Sequence, residues 1–397
     1  MGKINMKKLF YTISGIFCFF LSFGFMGIVN ADLQPQEYVN TPPTTPYTHV
    51  EFKEIVSFNK KSLKLDDQSQ EWQSKMRDLG HRLKQAKVGL IYFIHGTYAG
   101  DDPFGIANLI EQINHDFTPI VKEFIKQNMI DKMMEDCGNY TQEYVALFKK
   151  AIGNDICCER FIWSSENHHF ARLRESIKLV SALANDIDTK MPSWGERVLL
   201  LGHSHAGQLF ALMTNFLAQS PGVSALLAIG GKAGIDVSKF DEYLQKIRQV
   251  HLDIVTFGTP PRYGWGDGKY NLLNIINHRG NEFLAGAIDT MVFSTKHGDY
   301  VQQSAIAGSD TIAKTDTERM SDKKLDEILG KGNDMIGLFE NLKARMRVPH
   351  YGKTILVDYK DNSTIYPNCF DTLFGHGVYT RYEKMLFNTQ LIVDEMY

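Results

Sequence analysis

No stretch of this 397-residue chain concentrates positive charge in the way a phosphate-tracking surface requires; 43 basic and 46 acidic residues are intermixed, for a net charge of −3. Nucleic acid is thereby excluded as a partner. No internal repeat is present either, which excludes solenoids and propellers. Cysteine is scarce, with five residues in all. Cys18 falls in an N-terminal apolar run and lacks the small preceding residue of a lipidated cysteine, which leaves Cys137, Cys157, Cys158 and Cys369. Adjacent Cys157 and Cys158 do not readily pair with each other, so two readings stand: one of them bridges to Cys137, or these are buried free thiols. The twelve prolines are few, yet Pro35, Pro42, Pro43 and Pro46 crowd into one short polar stretch. That composition reads as an extended leader over 32–48 rather than a packed element, and a folded domain is expected over 49–397.

Charge is missing from one long run. Lys3, Lys7 and Lys8 precede an almost uncharged segment from Leu9 to Val29, followed by Asn30 and Ala31. The pattern predicts a signal peptide over 1–31, cleaved after Ala31 or else retained as a membrane anchor, and hence a secreted or periplasmic protein.

Beyond the leader, short apolar runs bounded by turn residues alternate with longer amphipathic stretches. VGLIYFI (88–94), RVLLLG (197–202), HLDIVTFG (251–258) and KTILVDY (353–359) are near-continuous hydrophobic runs of strand length, with ERFIW (159–163) and NLLNIIN (271–277) as further strands. Such runs belong to strands buried on both faces. RLRESIKLVSALANDI and GQLFALMTNFLAQ repeat apolar residues every three or four positions, as helices do. The expected fold class is therefore α/β, a mostly parallel sheet with helices on both faces. Residues 105–155 and 314–347 exceed a minimal sheet and read as helical insertions, either peripheral or placed as a lid.

GHSHAGQ (202–208) stands where the second clear strand run gives way to a helical pattern. A serine on a sharp strand-to-helix turn needs small residues two before and two after it, and Gly202 and Ala206 supply them. Ser204 is thus the candidate nucleophile, and the backbone N–H of His205 at the helix start faces the place where an oxyanion would form. A second donor is expected from the tip of the first strong strand, His95-Gly96-Thr97, through the Thr97 N–H. The base should follow the last strand, and His376 in FGHGVYTR does so; His350 and His297 compete less well. For the carboxylate that orients it, Asp299 in KHGDYVQQ is the choice and Glu282 the alternative, with Asp289 and Asp310 less favoured.

Taken in order, FIHGTYAGDDPFG, VLLLGHSHAGQLFALMTNFLA, VTFGTPPRYGW, GDYVQQ and GHGVYTR resemble the α/β-hydrolase superfamily and its bacterial lipase- and esterase-like members, from about residue 88 onward. The resemblance implies the α/β-hydrolase fold, a triad of Ser204, Asp299 and His376, and Thr97 and His205 as oxyanion donors. It implies hydrolysis of carboxylic esters through an acyl-enzyme, on an ester or lipid-like substrate with transient contact with a lipid surface, and no cofactor. A peptidase, amidase or thioesterase shares the same chemistry, and a non-catalytic member is the further alternative. His203 and His205, with His168 and His169, invite a metal reading, but no Asp, Glu or Cys at ligand spacing accompanies them, so none is expected. TPPRYGWGDGKY (259–270) has the composition of a pocket wall and equally of a surface turn.

Overall fold

The computed structural model describes residues 48–97, 135–260, 262–278, 298–299, 301–302, 313, 315–330, 351–359 and 375–397. Residues 1–47, which include the expected signal and nearly all of the leader, lie outside the described residues, as do Cys369, His297, His350, Glu282, Asp289 and Asp310.

Seven strands form one sheet in which every pairing is parallel: β1 (Thr48–Glu51), β2 (Val88–Ile94), β3 (Cys157–Phe161), β4 (Arg197–His203), β5 (His251–Phe257), β6 (Tyr270–Asn277) and β7 (Lys353–Asp358). Their spatial order is β1-β7-β6-β5-β4-β2-β3. Parallel neighbours need crossovers, and helices supply them: α1 (Gln70–Gln85), α2 (Gln142–Ala151), α3 (His169–Thr189), α4 (Ala206–Ala218), α5 (Val223–Lys232), α6 (Phe240–Ile247), α7 (Asp316–Leu329) and α8 (Met385–Met396). Successive residues of a strand point to opposite faces, and the cores divide accordingly. Ile91, Phe93, Leu199, Leu201, Val255 and Phe257 pack with α1, α2 and α8. Leu90, Tyr92, Val198, Leu200 and Ile254 pack with α3, α4, α6 and α7. The class is α/β, with helices on both faces.

The structure changes one expectation and closes two readings left open. β3 starts two residues earlier than ERFIW and ends at Phe161, because Ile162 turns outward and Trp163 folds back to donate its indole N–H to the His95 carbonyl. The bridge from Cys137 to a neighbour does not form: Cys157 and Cys158 are both thiols, held on opposite faces of β3, with Cys158 sealed in the α1/α2 core. Burial, with Glu159 beside it, pushes the Cys157 thiol up to about 11. Finally, the described part of 105–155 is no lid; Tyr144, Val145, Leu147 and Phe148 of α2 are core residues against α1 and the sheet.

Among the described helices, α2, which comes next after β2, lies on one face and α4, which follows β4, on the other, although β2 and β4 are neighbours. In an open parallel sheet, a crevice lies outside the carboxyl ends of the strands where the order reverses in this way. Thr97 and Ser204 both stand at that crevice.

Candidate active site

Ser204 lies between the end of β4 and the start of α4 with φ +55°. A residue with a Cβ reaches that left-handed conformation only when its surroundings hold it there. Here the Ser204 N–H donates to the Phe257 carbonyl at 2.8 Å, while its own carbonyl accepts from the Gly207 N–H (3.1 Å) and the Thr259 hydroxyl (2.7 Å). Two glycines make room for the turn. A Cβ at Gly202 would lie 2.4 Å from the Phe210 ring, and one at Gly96 would lie 2.7 Å from both Ser204 Cβ and His203 Nδ1.

His376 reaches Ser204 from the segment ahead of α8. Its Nε2 is 2.7 Å from Ser204 Oγ and its Nδ1 2.8 Å from Asp299 Oδ2. A carboxylate oxygen accepts, so Nδ1 carries the proton and Nε2 is left to receive the one on Ser204. Asp299 is fully buried; its Oδ1 accepts the Gln302 N–H at 2.8 Å and its own N–H donates to the Asn277 carbonyl at 2.9 Å. The structure thus brings Ser204, His376 and Asp299 into one hydrogen-bonded row.

His205 occupies the N-cap of α4, the end where backbone N–H groups project beyond the helix's own ladder and the dipole favours negative charge. Its Nδ1 shares a 2.5 Å hydrogen bond with the Thr97 hydroxyl, so the two expected oxyanion residues are fastened to each other beside the serine. His203 lies behind the row. Its Nε2–H donates to the His376 carbonyl at 2.8 Å, and its ring sits 4.6 Å from that of His376. Burial, with His376 beside it, pushes the His203 imidazole down to about 3, so it is neutral. That placement suits a support for the base and not a ligand; among the described residues no group of three His, Cys, Asp or Glu is disposed to hold a metal.

The loop after β5 packs along α4: Gln208 accepts from the Tyr263 N–H and donates to the Pro260 carbonyl, and Asn215 donates to the Gly264 carbonyl. His168 and His169 instead meet α7, through Asp322 and Asp326. Two contributors escaped the sequence reading. Asn277 closes β6 and donates through Nδ2 to the Gly375 carbonyl at 2.8 Å, and the Tyr379 hydroxyl donates to Asp299 Oδ2 at 2.6 Å. The asparagine ended a strand pattern and carried no signal of its own, while the tyrosine stood in the His376 motif without any hint of its partner.

Comparison of the chain with protein-family models, with curated proteins and with solved structures returns no match.

Proposed function

We propose that this protein is a serine hydrolase of the α/β-hydrolase kind that cleaves carboxylic esters, with Ser204 as nucleophile, His376 as base and Asp299 as its orienting acid. One observation carries the reading: a serine held at φ +55° on a strand-to-helix turn, hydrogen-bonded to a histidine that is itself bonded to a buried carboxylate. A nucleophile within reach of a base, and the base within reach of an orienter, is the constellation that activates a hydroxyl.

In the reaction, Ser204 Oγ attacks the ester carbonyl carbon as its proton passes to His376 Nε2. The tetrahedral oxyanion draws on the backbone N–H groups of Thr97 and His205, which cost no reorganisation as the charge develops. His376 then protonates the departing alkoxide, the acyl group stays on Ser204, and water activated by the same imidazole releases the acid. The neutral Nε2–H of His203 on the His376 carbonyl keeps the base in place throughout. The expected signal peptide over 1–31 favours action outside the cytoplasm.

The test is intact mass after exposure to a fluorophosphonate, with Ser204→Ala as control, followed by ester, thioester and amide panels. A single adduct absent from Ser204→Ala, together with ester turnover, is expected. Ester hydrolysis retained in purified Ser204→Ala protein would overturn the assignment, and turnover confined to amides would replace the ester reading.

A further inference from the structure

Asp299 Oδ2 receives two donors. His376 Nδ1 is one, at 2.8 Å; the Tyr379 hydroxyl is the other, at 2.6 Å. That hydroxyl in turn accepts the Asn277 N–H at 2.8 Å, from the last residue of β6. Because Asn277 also accepts the Asp299 N–H and donates to Gly375, one residue before the base, the acid, the base and the end of the sheet are tied in a closed set of hydrogen bonds. Tyr379 is fully buried, and the approach is close: a Cβ at Gly258 would lie 2.5 Å from Asp299 Oδ2 and 2.7 Å from the Tyr379 hydroxyl oxygen.

We propose that Tyr379 is a positioning residue for the Asp299–His376 pair: its hydroxyl fixes the carboxylate oxygen that receives the imidazole and moderates the negative charge that imidazole feels. The geometry stands by itself, and the kinetic consequence rests on the hydrolase reading. The second donor matters because His376 has two duties. It must be neutral to accept the serine proton, yet be stabilised as a cation once it has done so. An acid bonded to the imidazole alone would favour the cation in the resting enzyme as well. A phenol on the same oxygen draws off part of that charge and so weakens the carboxylate's hold on the imidazole proton.

Among the described residues, Tyr379 is faced from several neighbouring elements. Its ring meets Phe257 of β5, His203 of β4, Tyr359 just beyond β7, and His376. Tyr359 donates its hydroxyl to Asn388 of α8 and stays a neutral phenol, because burial raises it well above its ordinary value. Tyr379 likewise stays neutral, raised by burial and by the Asp299 carboxylate. His203 is neutral above about 3. Among the described residues, the charges that the hydroxyl works between are therefore those of Asp299 and His376.

Two changes at one position give opposite signs. Tyr379→Phe removes the donor and keeps the ring, so the titration midpoint of His376, followed by NMR on protein with labelled histidine, should rise by about half a pH unit. Incorporating 3-fluorotyrosine at position 379, a more acidic phenol and a stronger donor, should lower it. The acidic limb of the kcat/KM profile for an ester should move the same way in each case. An unchanged midpoint in both would overturn the proposal, since a tyrosine that only fills space leaves His376 untouched. Should Tyr379→Phe fail to fold, the fluorinated protein, which keeps every contact, decides alone. Midpoints that shift in a protein with no esterase activity would uphold the positioning role while the hydrolase reading fails.

Discussion

At Ser204 the backbone is held in a conformation that few side-chain-bearing residues adopt, and the support comes from what its neighbours lack as much as from what they offer. Gly96 is the sharpest case, since a methyl group there would press on Ser204 Cβ and the His203 ring together. Gly96→Ala should displace the serine by several tenths of an ångström and lower kcat/KM on the order of 10²-fold, while far-ultraviolet circular dichroism stays unchanged. Asp299→Asn keeps the shape of the acid but presents the wrong partner to His376 Nδ1, so kcat should fall on the order of 10⁴-fold in ester assays. A modest fall would indicate that some other carboxylate serves the histidine. Ser204 was legible in the sequence because an elbow is local: strand, small residue, serine, small residue and helix all fall within about twenty positions. Asp299 was one of four candidate acids, and nothing local in the sequence marks the carboxyl group that ends 2.8 Å from His376. Tyr379 was invisible for the same reason, since its hydrogen-bond partner is fixed by the tertiary fold.

Buried charge fastens α7 to α3. Its Glu318 shares Arg174 with Glu166 and Glu175, at 2.9, 2.9 and 3.0 Å, and Asp322 accepts the Phe170 N–H at the start of α3. The three glutamates are nearly or fully buried, so Arg174 is what keeps their charges compatible with the interior. Arg174→Met should therefore cost about 3 kcal/mol or more, read from urea unfolding midpoints at neutral pH. Acid should erode the same contribution. Burial pushes the Glu175 carboxyl up, but the Lys178 and Arg174 cations more than offset it and hold it below its ordinary range. A depressed carboxylate stabilises the fold above its unfolded value and ceases to do so as pH falls through the folded one. Such docking argues against a freely opening lid in the described part of 314–347. Among strands, the buried ones announced themselves by unbroken apolar runs, whereas β1 is four largely exposed residues with no run to read. ERFIW misplaced β3 because apolarity continued through Ile162 and Trp163 after the hydrogen-bond ladder had ended.

For the molecule as a whole, two buried neutral histidines, His203 and His169, add to the sensitivity to acid. Burial, reinforced by His376, lowers His203 to about 3; burial, with Arg262 and Arg172 close by, lowers His169 well below its ordinary value. Unfolded, both take a proton near pH 6.5, while the folded chain refuses it. Below that pH the unfolded state binds more protons, so stability should fall by about 1.4 kcal/mol per pH unit for each histidine, down to about pH 3 for His203. Urea midpoints between pH 7 and 4.5 test this, and His203→Gln, which keeps a donor for the His376 carbonyl, should flatten the slope by one proton. The strand order carries a further consequence, for the growing chain. Among the described strands, β1 comes first in the sequence and hydrogen-bonds to β7, which comes last, and Ser204 precedes both Asp299 and His376. As synthesis proceeds, β2, β3, β4 and β5 have their neighbours early, but Thr48–Glu51 must wait for Lys353–Asp358. The hydrogen-bonded row of Ser204, His376 and Asp299 cannot form until His376, beyond β7, has been translated. A copy that stops short of His376 therefore folds, if at all, without that row.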